Sequence, residues 1–196
     1  EEYSLNILHK LWIPWLIRLP IAKLFQYYEN YAVKKFDAVI SVTPQIVHKF
    51  KKINNYATLI TNYPLIDGHA SEKKDLAKEY INAKKNICYA GVIEPGRMHH
   101  NIIKALEKLP QISYLLAGTG FDTYLDQLKK LDMWKKVEYL GLLSFQEVLL
   151  VYQRSVAGIV VENYGVLNYG KEGSLGVTKL FEYMAVGLPV ICTDFT

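Results

Sequence analysis

The stretch Gly173-Ser174-Leu175-Gly176-Val177-Thr178-Lys179-Leu180-Phe181-Glu182-Tyr183-Met184-Ala185-Val186-Gly187-Leu188-Pro189-Val190-Ile191 decides how the rest of the chain is read. Val177, Leu180, Phe181 and Met184 follow the i, i+3, i+4, i+7 spacing of a buried helical face. The spacing predicts a helix over 177–186, stopped by Gly187 and Pro189. Glycines just ahead of a helix leave its first N–H groups open with the positive end of the dipole behind them, and a phosphate fits there. Lys179 and Glu182 fall together on another side of this helix. Lys179 can neutralise phosphate charge, and Glu182 can accept two hydrogen bonds from a sugar diol. On helix geometry alone the pair reads first as a surface ion pair worth roughly a few tenths of a kcal/mol.

Working outward, short apolar runs alternate with longer amphipathic ones from Lys85 onward, the pattern of repeated βα units and a parallel sheet. Strands are expected at 86–90, 112–117, 137–140, 156–161 and 189–193, with helices between them at about 98–109, 121–131, 144–153 and 177–186. Ser144 followed by Glu147 reads as a capping box. Before Lys85 the pattern is a long helix from about Pro20 to Lys35, a strand over 37–42, a short helix opened by Thr43-Pro44 and a strand over 57–61. The expected organisation is therefore residues 1–63 as the end of one domain, 64–85 as an interdomain crossing and first helix, and 86–196 as most of a second domain. Residues 1–63 hold eight Lys/Arg against four Asp/Glu and residues 64–196 fifteen of each, so the net charge of +4 lies entirely in the first segment. The chain starts at Glu1 without Met and stops just after a strand-like run, as expected of a piece of a longer protein.

Composition narrows the function. With 196 residues and 51% hydrophobic residues, the chain can bury a real core. Its net charge of +4 is too mild for a polybasic nucleic-acid binder, so no nucleic-acid partner is expected. Two cysteines, Cys88 and Cys192, exclude a disulfide framework and a four-cysteine zinc module. Both lie in apolar runs and read as buried, reduced thiols of a cytoplasmic protein. The apolar stretch 11–25 is broken by Pro14, Arg18, Pro20 and Lys23 and does not read as a membrane span. The opening residues Glu1-Glu2, without a basic n-region, do not read as a signal peptide.

Two further turns fall at the carboxyl ends of expected strands, where open parallel sheets bind ligands. One is Ala90-Gly91-Val92-Ile93-Glu94-Pro95-Gly96-Arg97, and the other is Ala117-Gly118-Thr119-Gly120, a weak dinucleotide signal on its own. Gly165 to Lys171 has the spacing of a phosphate-binding P-loop, but Glu172 stands where that motif needs a hydroxyl for magnesium. Gly173 to Gly176 is not a nucleophile elbow, because Glu172 occupies the position two before the serine. His99 and His100 are adjacent, do not share a helical face, and read as polar residues of a helix start, so no metal site is expected.

The run from Lys179 to Ile191, preceded by Tyr139-Leu140-Gly141 and Leu116-Ala117-Gly118-Thr119-Gly120, resembles the C-terminal donor domain of group 1 (family 4) GT-B glycosyltransferases, most closely their capsular and exopolysaccharide branch. The resemblance covers about residues 37–196. It implies an α/β fold of GT-B type, a Rossmann-like parallel sheet with helices on both faces plus the end of a second Rossmann-like domain. It further implies a retaining hexosyltransferase of bacterial polysaccharide biosynthesis that moves sugar from a nucleotide diphosphate sugar to a polysaccharide or lipid-linked acceptor, with no metal or other cofactor. Carried over by position, Glu182 grips the ribose hydroxyls, while Arg97 and Lys179 are the catalytic groups that stabilise the leaving diphosphate. Gly91, Gly118, Gly120, Leu142, Ser174, Leu175, Gly176 and Val177 complete the donor site.

Two positions depart from the family pattern. The family usually has glycine after the arginine, where this chain has Met98, and many members carry a glutamate at the position of Ser174, so either the loop 164–174 would supply the sugar contacts or this branch would do without them. The same fold also serves nucleotide-sugar epimerases, which need no acceptor, and Ser174 motivates a third reading, a non-catalytic nucleotide-binding module. If nothing precedes Glu1, donor binding with little transfer is expected. Trp12, Trp15, Tyr27 and Tyr28 interleaved with Lys10, Arg18 and Lys23 suit either a packed helix or peripheral contact with the inner face of the plasma membrane.

Overall fold

The structure, a computed structural model, describes residues 12–61, 85–162 and 178–194 together with 7, 8, 10 and 63. They divide into two compact units, one containing 12–61 and the other containing 63, 85–162 and 178–194.

In the first unit α1 (Trp15–Lys35) is followed by β1 (Val39–Ser41), α2 (Pro44–Lys51) and β2 (Ala57–Leu59), and the two strands pair in parallel. The helix α1 begins five residues earlier than the sequence pattern predicts and carries Pro20 inside it. Pro14 precedes the helix, and Pro20, its sixth residue, removes one N–H bond to the Leu16 carbonyl without ending the helix. Thr43 and Pro44 open α2 as expected. The threonine side chain makes no capping bond, and its backbone N–H instead donates to Ser41 Oγ at 3.2 Å. Asn54 closes the end of α1, its amide donating to the carbonyls of Val33 at 3.0 Å and Phe36 at 2.8 Å. Val33, Ile46, Phe50 and Ala57 form the small core. The aromatic residues of α1 are exposed, and only Ala22 and Val33 of that helix are buried.

The second unit is a five-stranded parallel sheet in the order β5-β4-β3-β6-β7. Its strands are β3 (Lys85–Ala90), β4 (Ile112–Ala117), β5 (Val137–Gly141), β6 (Ala157–Val160) and β7 (Val190–Cys192). Its helices are α3 (His99–Ala105), α4 (Asp122–Lys129), α5 (Phe145–Gln153) and α6 (Thr178–Ala185). Residues 87–90, 114–117 and 157–160 are buried without alternation, as strands covered on both faces require. Ile87, Tyr89, Tyr114 and Leu116 meet Ile102, Ile103 and Leu106 from α3 and the turn after it, together with Tyr124 and Leu128 of α4. On the opposite side Tyr183 of α6 reaches the Cys88 and Ile159 carbonyls, and its ring stands edge-on to Tyr152 of α5 at 4.8 Å. The fold is thus the Rossmann-like α/β arrangement read from the alternating pattern.

Local signals in this unit match the expected ones. Ser144 and Glu147 form the full capping box of α5, with Ser144 N–H donating to Glu147 Oε2 at 2.7 Å. Gly187, at φ 70°, turns the chain out of α6, and Leu188 N–H closes on the Tyr183 carbonyl.

Two expectations are corrected. Cys192 is exposed, because β7 is the outermost described strand of its side of the sheet, whereas Cys88, on the central strand, is buried with its thiol pKa pushed by burial up to about 11. The buried face of α6 is also rotated from the one the spacing implied. Tyr183 is its fully buried residue, and Met184 is 63% exposed. The reason lies across the interface in Gly158: a Cβ there would come within 2.6 Å of the Tyr183 ring, so the missing methyl makes the space the ring fills. Gly158→Ala should therefore lower unfolding free energy by roughly 1–3 kcal/mol through overpacking, read from urea denaturation. An unchanged midpoint would show that the helix can shift to accept the methyl.

Candidate functional site

In the second unit the chain runs outward from β3 to β4 and β5 and then returns to β6 on the other side. The strand order therefore reverses between β3 and β6, and the crevice beyond the carboxyl ends of these two strands is where an open α/β sheet binds ligands. The loop leaving β3 carries Gly91 and Arg97, the loop leaving β4 carries Gly118 and Gly120, and α6 carries Lys179 and Glu182.

Gly91, Gly118 and Gly120 lie where two loop backbones come closest. Gly91 N–H donates to the Ala117 carbonyl at 3.0 Å, Ile93 N–H to that of Thr119 at 2.8 Å, and Gly118 N–H to that of Gly141 at 2.7 Å. Ile93 and Gly120 form an isolated parallel bridge that extends the sheet's pairing into the loops. A Cβ on Gly118 would collide with the Gly91 carbonyl and one on Gly120 with that of Ile93, so backbone approach accounts for both glycines. Gly91 has a different neighbour: a Cβ there would meet Cε and Nζ of Lys179.

Lys179 and Glu182 sit one turn apart on α6, as expected. The Lys179 ammonium lies over Gly91, 5.3 Å from the centre of the Tyr89 ring. Burial lowers its pKa, Glu182 opposes that shift and Arg97 reinforces it. Glu182 accepts a hydrogen bond from Tyr152 Oη at 2.7 Å on Oε2.

Arg97 is ion-paired. Its Nη1 meets Glu162 Oε1, and its Nε lies 3.2 Å from Glu94 Oε1 without hydrogen-bond alignment. Glu162 is buried, its Oε2 has no partner among the described residues, and its backbone is tied to Thr193 by two hydrogen bonds. Arg97 and Lys179 thus face three carboxylates, those of Glu94, Glu162 and Glu182. The next residue, Met98, takes the left-handed conformation at φ 55°, ψ 24°. Glycine adopts that conformation without strain, so the departure from the family pattern keeps the shape of the turn at a local cost of roughly 1–2 kcal/mol.

Leu142 is exposed on the loop after β5, two strands from β3, and the described residues do not bring it to the others. Ser174, Leu175, Gly176 and Val177 lie outside the described residues, as does the loop 164–174. Glu162 and Tyr152 were not singled out in the sequence. Glu162 was legible in principle, as a carboxylate directly following an apolar parallel strand. Tyr152 carried no local signal, since its partner is thirty residues away. Among the described residues no group of three or more His, Cys, Asp or Glu could hold a metal ion.

His99 opens α3 but is fully buried, a correction to its reading as a polar helix start. Its Nδ1 lies 3.0 Å from Tyr114 Oη, its ring stands edge-on to Tyr89 at 4.6 Å, and Nε2 has no partner among the described residues.

Residues 71–196 match the model of the family described as glycosyl transferases group 1, and the chain belongs to that family. Among solved structures, HepE from Anabaena, described in complex with UDP and glucose, is 15% identical with a TM-score of 0.61, covering 85% of this chain and 47% of its own. WaaG, described as a glycosyltransferase involved in lipopolysaccharide biosynthesis, is 17% identical with a TM-score of 0.56, covering 80% of this chain and 44% of its own. TarM from S. aureus, described in complex with fondaparinux, α-GlcNAc-glycerol and UDP, is 13% identical with a TM-score of 0.61, covering 86% of this chain and 32% of its own. These are GT-B glycosyltransferases, and their likeness establishes the fold. The chain spans less than half the length of each. No curated protein matches it by sequence.

Burial, followed by the positive charge of Arg97, pushes the pKa of His99 down to about 4. Its folded pKa lies below the unfolded one of about 6.5, so the stability it confers is complete above pH 6.5 and is lost as pH falls toward 4. The loss should reach about 3 kcal/mol in urea-unfolding experiments between pH 7 and 4 and be flattened in His99→Gln. An identical pH dependence in the variant would assign the effect to other groups.

Proposed function

We propose that this chain carries the nucleotide-sugar donor half of a retaining glycosyltransferase of bacterial capsular or exopolysaccharide assembly, residues 86–196 being the C-terminal donor domain and 1–63 the end of the acceptor domain. The supporting observation is the convergence, at the strand-order reversal of a group 1 glycosyltransferase fold, of Lys179 over Gly91 with Glu182 one turn along the same helix. HepE and TarM are described with UDP, and TarM also with saccharides, in keeping with a nucleotide-sugar donor and a saccharide or lipid-linked acceptor.

In this reading Glu182 accepts the ribose hydroxyls. Lys179 stands beside the diphosphate and meets the negative charge that grows on it as the bond to the sugar breaks. Arg97 acts from within its carboxylate pairs, its remaining guanidinium donors turned to the same group. The nucleotide sugar is the substrate, and no metal or other cofactor enters the scheme. The test is calorimetric titration with UDP, GDP and ADP. One nucleotide should bind, and Glu182→Gln should weaken it about tenfold or more, the scale of a lost charge-assisted hydrogen bond. No binding by a folded protein at millimolar nucleotide would overturn the reading.

We further place the protein at the cytoplasmic face of the membrane. No described helix is long and apolar enough to span it. Support for surface contact comes from α1 and the three residues before it, where Trp12, Trp15, Tyr27 and Tyr28 are exposed among Arg18, Lys23, Lys34 and Lys35. Co-sedimentation with anionic vesicles should be strong at low salt and fall as salt rises. No binding at low salt would retire this placement.

A further inference from the structure

Tyr152 sits in the last turn of α5 with its side chain buried, donating from Oη to Glu182 Oε2 at 2.7 Å. The phenol has little room to swing. Its ring packs edge-on against Tyr183 at 4.8 Å, and Tyr183 is itself wedged across Gly158 with its hydroxyl on the carbonyls of β3 and β6. Glu182 is less enclosed than either tyrosine, and none of the described residues donates a hydrogen bond to its Oε1. One carboxylate oxygen is thus anchored to the sheet through a chain of aromatic contacts, and the other has no hydrogen-bond partner among the described residues.

We propose that Tyr152 is the positioning residue for Glu182: by holding Oε2 it presents Oε1 to the ribose hydroxyls of a nucleoside diphosphate and sets the site's preference for ribonucleotides over deoxyribonucleotides. This rests on the reading of Glu182 as the ribose-gripping group. The physical reason is preorganisation. A glutamate on a helix has three rotatable side-chain bonds, and freezing them when ligand binds costs affinity unless the fold has already done so. The anchoring oxygen also fixes the plane of the carboxylate, and hence the direction from which a hydroxyl can donate to the other. Tyr152 remains a donor across the working range, because burial first, then Tyr183 and the bond to Glu182, hold its phenol pKa above the ordinary value.

The hydroxyl deletion Tyr152→Phe keeps the ring and its packing, so it removes the anchoring bond alone. The 196-residue chain, Tyr152→Phe, Glu182→Gln and the double variant would each be titrated with UDP, GDP and ADP and with their 2′-deoxy counterparts. For the nucleotide that binds, the unaltered chain should favour the ribo form about tenfold. Tyr152→Phe should weaken the ribo form by about fivefold and leave the deoxy form within about twofold, so that the preference collapses. In the Glu182→Gln background the same change should have no further effect. A folded Tyr152→Phe that retains the ribose preference, or that loses ribo and deoxy forms equally, overturns the positioning role and leaves the reading of Glu182 intact. A Glu182→Gln variant that still discriminates, or an unaltered chain that does not, overturns both.

Discussion

The position of the candidate site depends on how one aromatic ring fits where a side chain is missing. Tyr183 lies across Gly158 with no exposed surface, and this contact fixes the rotation of α6 about its axis. Lys179 is one turn before Tyr183 and Glu182 immediately before it, so both directions are set once the ring is seated. The same ring braces Tyr152, which holds Glu182. A chain of contacts thus runs from the central strands of the sheet to the groups that would meet a nucleotide, and each link depends on close packing at the one before.

The electrostatics of the crevice are more balanced than a list of basic residues would imply. Arg97 is neutralised by Glu162 and Glu94, and Lys179 has Glu182 as its nearest opposing charge on the helix. Among the described residues the charges of such a site leave no positive excess, so they do not attract anions by net charge. Its affinity for a diphosphate would come from donors already fixed in place, the arrangement that favours charge developing during reaction over charge present from the start. The buried pairing with Glu162 gives Arg97 one defined location at the junction of β3 and β6, and the left-handed turn at Met98 carries the chain from that location directly into α3.

Strand positions were legible because a strand covered on both faces is a short, unbroken apolar run, and only sheets with helices on each side produce several of these separated by amphipathic stretches. The capping box at Ser144 and the stop at Gly187 were legible because they are local, each settled within a few residues. Local rules failed where an interaction from elsewhere prevailed. A proline reads as a helix start, yet α1 runs through Pro20. Hydropathy reads Cys192 as buried, yet exposure depends on a strand's place in the sheet, and β7 is the outermost described strand on its side.

The sequence by itself determined the fold class, the family and the pairing of Lys179 with Glu182 on one helix, because periodicity and motif spacing are properties of neighbouring residues. Tertiary structure alone decided which face of that helix is buried, that Arg97 is ion-paired, and that Tyr152 holds Glu182. Those outcomes belong to residues far apart in the chain: Gly158 with Tyr183, Arg97 with Glu162, Tyr152 with Glu182. No periodicity encodes them, since each depends on which strands the sheet brings side by side.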